Sequence, residues 1–187
     1  MSNLRSNLRS NLRILGGEAR GRPLEVPASA RPTGVRVRKS LFDLLEHRFP
    51  DSSSFLDLFA GSGAVGLEAA SRGYHVTMVE RDPGAVKALQ FNLRSLKLEG
   101  KIIASDAQTF LVKTKVKFDI AFVDPPFTQD IPPIARWALE AHCLNPDGVL
   151  VVQHPDVLKL PEQGGYTLER RDYGSNALSL YWRMLGE

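Results

Sequence analysis

At 187 residues, 43% apolar and 24% charged, the chain has the size of about one domain, can bury a core without staples and is too apolar for global disorder. No apolar run approaches the roughly 20 residues of a spanning helix, and the single cysteine, Cys143, excludes an internal disulfide and a multi-cysteine zinc site; a reducing, cytoplasmic location is expected. The net charge of +3 is uneven: residues 1–50 hold ten Arg and Lys against four acids, the rest fourteen against seventeen, which points to a polyanion bound by a basic N-terminal arm.

The N-terminus is polar and Arg-rich, without the apolar core of a secretory signal. It opens on three copies of Ser-Asn-Leu-Arg at residues 2–13, each too short to bury a face, so residues 1–11 are expected to be a mobile tail. Residues 14–26 read as a short hairpin, with Gly16, Gly17 and Gly21 near its turn, and 27–32 as an extended linker. Val37, Leu41, Leu44 and Leu45 then fall on one face of a helix that ends before Pro50. These elements form a basic extension over 12–50, and the main domain spans 51–187.

The main domain alternates. Strands are expected at 55–60, 74–80, 101–104, 118–123 and 148–153, with helices at 64–72, 83–98, 107–113 and 131–143 between them. Two further strands, 166–173 and 177–184, are joined by Gly174-Ser-Asn, a hairpin turn. The fold class is therefore α/β and Rossmann-like: a seven-stranded, mostly parallel sheet with helices on both faces and an antiparallel C-terminal edge hairpin.

In such a sheet ligands bind at the carboxyl ends of the strands. Gly61-Ser-Gly63-Ala-Val-Gly66 is a glycine loop between a strand and a helix, and Glu80 ends the next strand. Both fit a dinucleotide site, and both fit S-adenosylmethionine (SAM), whose ribose hydroxyls an acid binds. Asp57 separates the two. Its carboxylate would repel a pyrophosphate but attract the ammonium and sulfonium of SAM. Asp106 either receives the adenine amino group, with the Ala107 amide donating to the ring, or caps the following helix.

Asp124-Pro-Pro-Phe127 is the most specific element. Pro125 and Pro126 fix φ at two positions and extend the residues before them. The Asp124 carboxylate and the Pro125 carbonyl then converge as two acceptors, suited to an exocyclic NH2. Phe127 offers a face to a planar base. The four histidines show no metal-ligand spacing, and no metal is expected.

On these residues the chain resembles the RsmD-type 16S ribosomal RNA (guanine-N2)-methyltransferases, class I SAM enzymes. The likeness covers about residues 13–185. It rests on Arg13-Ile-Leu-Gly-Gly17, Arg20-Gly-Arg22, Arg31-Pro-Thr33, Val35-Arg-Val-Arg38 leading into Leu41-Phe42, Asp57-Leu-Phe-Ala-Gly-Ser-Gly63 and Val123-Asp-Pro-Pro-Phe127. Lys39 stands where the family usually carries an acid. The resemblance implies methylation of one guanine N2 in 16S rRNA of the small ribosomal subunit or its precursor.

The expected cofactor set is Asp57, Phe59, Ala60, Gly61, Ser62, Gly63, Glu80, Arg81, Asp106 and Ala107, with Thr33 and Arg36 closing over SAM from the N-terminal segment. Arg13, Arg20, Arg22, Arg31, Arg38 and Lys39 are expected to hold RNA phosphates. A monomer is expected. Asp-Pro-Pro-Phe serves an adenine N6 amine equally well, so an adenine-N6 methyltransferase stays open, as does a SAM- or RNA-binding assembly factor without turnover.

Overall fold

The computed structural model describes residues 12–27 and 32–183; the expected tail at 1–11 and Arg31 lie outside them. Helix α1 (Val35–Arg48) precedes five parallel strands and their crossover helices. In chain order these are β1 (Ser54–Asp57), α2 (Gly66–Ser71), β2 (His75–Glu80), α3 (Pro83–Leu96), β3 (Lys101–Ala104), α4 (Ala107–Lys113), β4 (Phe118–Val123), α5 (Ile131–Glu140) and β5 (Leu144–Pro155). The hairpin of β6 (Tyr166–Tyr173) and β7 (Asn176–Arg183) completes one seven-stranded sheet of order β3-β2-β1-β4-β5-β7-β6. β7 runs antiparallel to β5 and to β6. The expected fold class is the observed one.

Strand alternation sorts the core into two layers. Phe55, Ile120, Phe122, Val149, Val151, Leu178 and Leu180 face α1, α2 and α3, while Leu56, Ala121, Val123, Leu150, Val152 and Tyr181 face α4 and α5. The order reverses between β1 and β4, so the ends of those strands flank a crevice. Asp119 fixes their register. Its Oδ2 accepts from the Ser53 and Ser54 amides at 2.9 Å, and its Oδ1 from Asn145 at 2.7 Å. Burial opposes ionisation, but bonds from Ser53, Asn145 and Ser54 outweigh it and hold this carboxyl well below the usual carboxylate range.

Several boundaries differ from expectation for local reasons. β1 stops at Asp57 rather than 60, and α2 starts at Gly66 rather than 64. Between them the chain turns through positive φ at Gly61 (52°) and Gly63 (82°), which glycine adopts without a Cβ penalty. α3 ends at Leu96 rather than 98, because Lys97 takes the left-handed conformation and its N–H returns to the Leu93 and Arg94 carbonyls. α5 ends at Glu140 rather than 143, and His142 reverses the chain at φ 52°. β5 begins at Leu144 rather than 148, with a register shift opposite Phe118 and Ile120.

The N-terminal hairpin is narrow. Leu24 N donates to Leu12 O at 2.9 Å and Ile14 N to Arg22 O at 3.0 Å; among the described residues its ladder is the bridge Arg13↔Pro23. Leu12, Ile14, Ala19 and Leu24 join the same core layer as α1 and the sheet. Polar contacts fasten the hairpin to α2. Glu68 accepts from the Leu15 and Gly16 amides at 2.7 and 2.8 Å, and the Ser71 hydroxyl accepts from Ala19 N at 2.9 Å while donating to Gly16 O.

This docking corrects one of the expected RNA contacts, Arg38, and gives another, the exposed Arg22, protein partners. Arg38 has no solvent exposure: Nη1 donates to the Arg13 and Ala64 carbonyls at 3.1 and 3.3 Å and lies 3.7 Å from Glu68 Oε2. It is a buried strut, out of reach of a phosphate. Arg22 turns its guanidinium onto the Leu96 carbonyl, at 2.9 Å, and onto that of Ser95. There it satisfies the carbonyls at the α3 C-terminus and complements its negative dipole end.

Candidate active site

A cavity of about 520 Å³ opens at the carboxyl ends of β1, β2, β3, β4 and β5, a volume typical of a small-molecule site. Loop geometry builds its floor. Asp57 ends β1 in full burial, and its Oδ2 accepts from Gly66 N at 2.9 Å, at the first turn of α2. A Cβ at Gly66 would fall 2.6 Å from Met78 and 3.1 Å from that carboxylate, so only glycine allows the helix to sit so close. Burial, reinforced by Asp124 and Glu80 and opposed by the Gly66 and Phe59 amides, pushes the Asp57 carboxyl up to about 7. Its Oδ1 is buried and has no hydrogen-bond partner among the described residues.

Glu80 ends β2 half-buried and shapes the loop. Its Oε2 accepts from Gly61 N at 2.8 Å, and its Oε1 from Asp82 N at 2.8 Å. Asp106 follows β3 and caps α4, with Oδ1 accepting from Thr109 N at 3.1 Å. Its side chain thus performs the capping role while the residue also lines the cavity.

On the other side, Asp124 follows β4 at the mouth. Thr33 Oγ1, carried by the segment leading into α1, donates to Asp124 Oδ2 at 3.1 Å. Pro125 is buried and Pro126 exposed. Phe127 is 45% exposed, and the following turn closes through Gln129 N to Pro126 O at 2.9 Å.

The cavity wall brings together Thr33, Asp57, Phe59, Ala60, Gly61, Ser62, Glu80, Arg81, Asp106, Ala107 and Asp124 through Phe127. Two expected cofactor residues are not in it. Gly63 is buried behind the loop, where a Cβ would strike the Leu67 and Leu89 side chains at 2.6 and 2.5 Å. Arg36 is exposed on the first turn of α1, outside the cavity. Sequence reasoning missed Gln153 and Asn176, which also line the wall. A signal exists for Gln153, a polar residue that follows the apolar run Val149-Leu-Val-Val152 at the carboxyl end of β5.

The donor set fits SAM. An unpartnered, buried carboxylate oxygen suits a cationic ammonium, and Glu80 at the end of β2 suits vicinal hydroxyls. Among the described residues no group of three or more His, Cys, Asp or Glu is placed to hold a metal ion, and no helix is long and apolar enough to cross a membrane.

Residues 12–182 match the family described as Conserved hypothetical protein 95. YlbH of Bacillus subtilis, named as a candidate rRNA methyltransferase, is 34% identical over 181 residues, covering 91% of this chain and 98% of that protein. Ribosomal RNA small subunit methyltransferase D of Escherichia coli K12 is 44% identical over 124 residues, 64% of this chain and 62% of that protein. Among solved structures, a hypothetical protein of Thermus thermophilus superposes with a TM-score of 0.86 at 47% identity, covering 91% of this chain and 98% of that one. A T. thermophilus 16S rRNA N2 G1207 methyltransferase, solved with AdoMet and guanosine, gives a TM-score of 0.68 at 25% identity, covering 84% of this chain and 45% of that one. The architecture is that of class I methyltransferases, and the chain belongs to the Conserved hypothetical protein 95 family, the family of the RsmD ribosomal RNA methyltransferases.

Proposed function

We propose that this protein is a SAM-dependent methyltransferase acting on the exocyclic N2 of one guanine in 16S rRNA, within the small ribosomal subunit or its precursor. One observation carries the reading: a buried anionic seat at Asp57 and a rigid pair of acceptors at Asp124 and Pro125 share a single cavity. The E. coli relative named for small-subunit rRNA and the T. thermophilus structure holding AdoMet and guanosine support the substrate class. A monomer acting in the cytoplasm, where ribosomes mature, fits this role.

The roles follow from the chemistry of each group. Asp57 holds the ammonium of SAM, Glu80 its ribose hydroxyls, and the 59–62 loop and Ala107 frame the rest, with Ser62, Arg81 and Asp106 on the wall. Bound there, SAM supplies an electrophilic methyl on a positively charged sulfur, which departs as a neutral thioether when the new N–C bond forms.

The N2 amine of guanine is a weak nucleophile, because its lone pair is delocalised into the ring. Asp124 and the Pro125 carbonyl accept its two N–H bonds and turn the lone pair toward the donor. Pro126 keeps that loop rigid, and Phe127 stacks the extruded base. Positioning of this kind supplies several kcal/mol of a barrier, and fixed acceptors stabilise the positive charge growing on nitrogen. The methylated amine is very acidic, so Asp124 takes its proton late without needing an elevated basicity. Thr33, by donating to Asp124 Oδ2, fixes the carboxylate's direction.

The experiment is methyl transfer from labelled SAM to small subunits lacking the modification, naked 16S rRNA, large subunits and duplex DNA, followed by nucleoside identification. N2-methylguanosine from small subunits is expected. N6-methyladenine from any acceptor overturns the substrate, and no label anywhere overturns the enzyme.

A further inference from the structure

The catalytic scheme above uses only the amine of the acceptor base and leaves the rest of its edge unread. Among the wall side chains that the scheme does not use, two from the neighbouring strands β5 and β7 carry buried oxygens without hydrogen-bond partners among the described residues. Gln153 is 4% exposed and its Oε1 is buried without a hydrogen-bond partner among the described residues; Asn176 Oδ1 is buried and also without one. Both residues line the cavity.

Sheet register places them. Val123 pairs with Val152, so the next residues along, Asp124 and Gln153, continue side by side from neighbouring parallel strands. Phe122, Val151 and Leu178 share one core layer; the two-residue period of a strand puts Asp124, Gln153 and Asn176 on that same face. Gln153 pairs with Leu178 and Pro155 with Asn176, so Asn176 stands diagonally across from Gln153 on β7.

A buried, unsatisfied carboxamide costs free energy in the empty protein. That cost is relieved when a ligand supplies the missing partners. Guanine with its N2 held at Asp124 presents next an N1–H donor and then the O6 acceptor, and a carboxamide matches that pair with one acceptor and one donor. Adenine with its N6 held at the same place presents N1, an acceptor, and then C2–H, so a carboxamide gains one bond at most. Either orientation of the Gln153 amide serves, because rotation by 180° exchanges its two ends.

We propose that Gln153, with Asn176 behind it, reads the N1–H and O6 edge of the acceptor base and makes the site select guanine. This rests on the methyltransferase reading of the site. Gln153 is a specificity-determining residue here, distinct from the groups that hold the reacting amine.

The test compares guanine with 2-aminopurine, which keeps the N2 amine but lacks both O6 and the N1 proton. Once the modified nucleotide is mapped, each base is placed there in reconstituted small subunits, and kcat/KM is measured for wild type and Gln153→Met. Wild type is expected to prefer guanine by about 100-fold, two hydrogen bonds' worth. Gln153→Met is expected to lose that preference by slowing on guanine alone, with SAM affinity unchanged. Gln153→Leu supplies a second apolar side chain if Met does not fold.

An unchanged preference in a folded variant overturns the inference and leaves the methyltransferase reading intact, as does equal slowing on both bases, which marks a packing role. Absence of guanine methylation by wild type overturns both readings.

Discussion

Arg38 and Glu68 face each other across 3.7 Å with neither side chain exposed to solvent. Glu68 also accepts from Leu15 N, Gly16 N and Arg72 Nε, so one carboxylate joins the hairpin, α1 and α2. Burial lowers the Arg38 pKa, against the pull of Glu68, yet a guanidinium stays charged at any working pH. Glu68→Gln strands the buried Arg38 guanidinium and is expected to cost about 3–5 kcal/mol in denaturant unfolding, whereas Arg38→Met leaves Glu68 paired with Arg72 at 2.8 Å and is expected to cost less. The double variant is expected to cost less than the sum, because it leaves no unpaired ion; additive costs would show that the pair is not coupled.

That pair also marks where sequence reading stops. The strands, the crossover helices and the glycine loop are legible because each carries a local signal: period, apolar runs, Gly and Pro at ends. Asp57, Glu80 and Asp124 are legible because a parallel sheet puts strand ends at one edge. Arg38 reads as a phosphate ligand in the sequence because charge counts say nothing about burial, and its partner Glu68 lies thirty residues away on α2. Gly63 and Gly66 look alike in the motif, yet the first packs behind the loop and the second admits the Asp57 carboxylate. Arg22 is legible as basic, but its place on the α3 C-terminus depends on how the hairpin docks.

Asp57 sets a pH dependence. Its carboxyl is held at about 7 by burial, with Asp124 and Glu80 adding to the effect, whereas an unfolded Asp titrates near about 3.9. A cationic ligand needs the ionised form. SAM affinity is expected to rise about tenfold per pH unit below 7 and level off above it, with proton release on binding. The stability sign follows from the same shift: the contribution of protonated Asp57 is complete below about pH 4 and is lost as pH rises through about 7. Asp57→Asn is expected to flatten both profiles. Titration calorimetry in two buffers of different ionisation enthalpy measures the released proton, and its absence would place the cation elsewhere.

The Thr33 hydroxyl acts through Asp124. Thr33→Val keeps the shape of the side chain and removes the donor to Oδ2. kcat on small subunits is expected to fall about tenfold, the worth of one bond to a charged group, with SAM affinity within twofold of wild type. Asp124→Asn retains one acceptor oxygen and is expected to fall further, by about 100-fold. Thr33→Ser, which restores the donor, is expected to recover most of the rate. If Thr33→Val and Thr33→Ser were equally slow, packing rather than the hydrogen bond would be the cause.

Basic residues in the extension divide by what they touch. Arg20 and Arg36 are exposed, and so is Lys39, which pairs with Asp43 at 2.6 Å on the surface of α1. Arg13 is exposed too but directs Nη1 onto the Gly21 carbonyl. Each phosphate contact removed is expected to lower the salt slope of rRNA binding by about 0.7–0.9. Arg20→Ala and Lys39→Ala should do so without changing stability. Arg38→Met should instead lower stability and, in the folded fraction, leave the slope unchanged. Filter binding across a salt series separates the two groups, and a flattened slope for folded Arg38→Met would return that residue to the RNA surface.

Gly17 tests whether the docked hairpin is needed for the substrate rather than the cofactor. Its φ is +75°, and a Cβ there would fall 1.8 Å from the Ser71 backbone carbonyl, the group that accepts from Glu18 N at 2.8 Å. Backbone cannot yield as a flexible side chain can, so Gly17→Ala must either push the hairpin off α2 or break the α2 C-terminus. The expected cost is on the order of 3 kcal/mol. The cavity is built from strand ends and the glycine loop, and among the described residues its wall begins at Pro32. SAM binding by the folded variant is therefore expected to persist while methyl transfer to small subunits drops. If transfer and SAM affinity fell together, the hairpin would be supporting the cofactor loop through α2 and the Arg38 contact to Ala64, and the RNA role of the extension would have to rest on its exposed arginines alone.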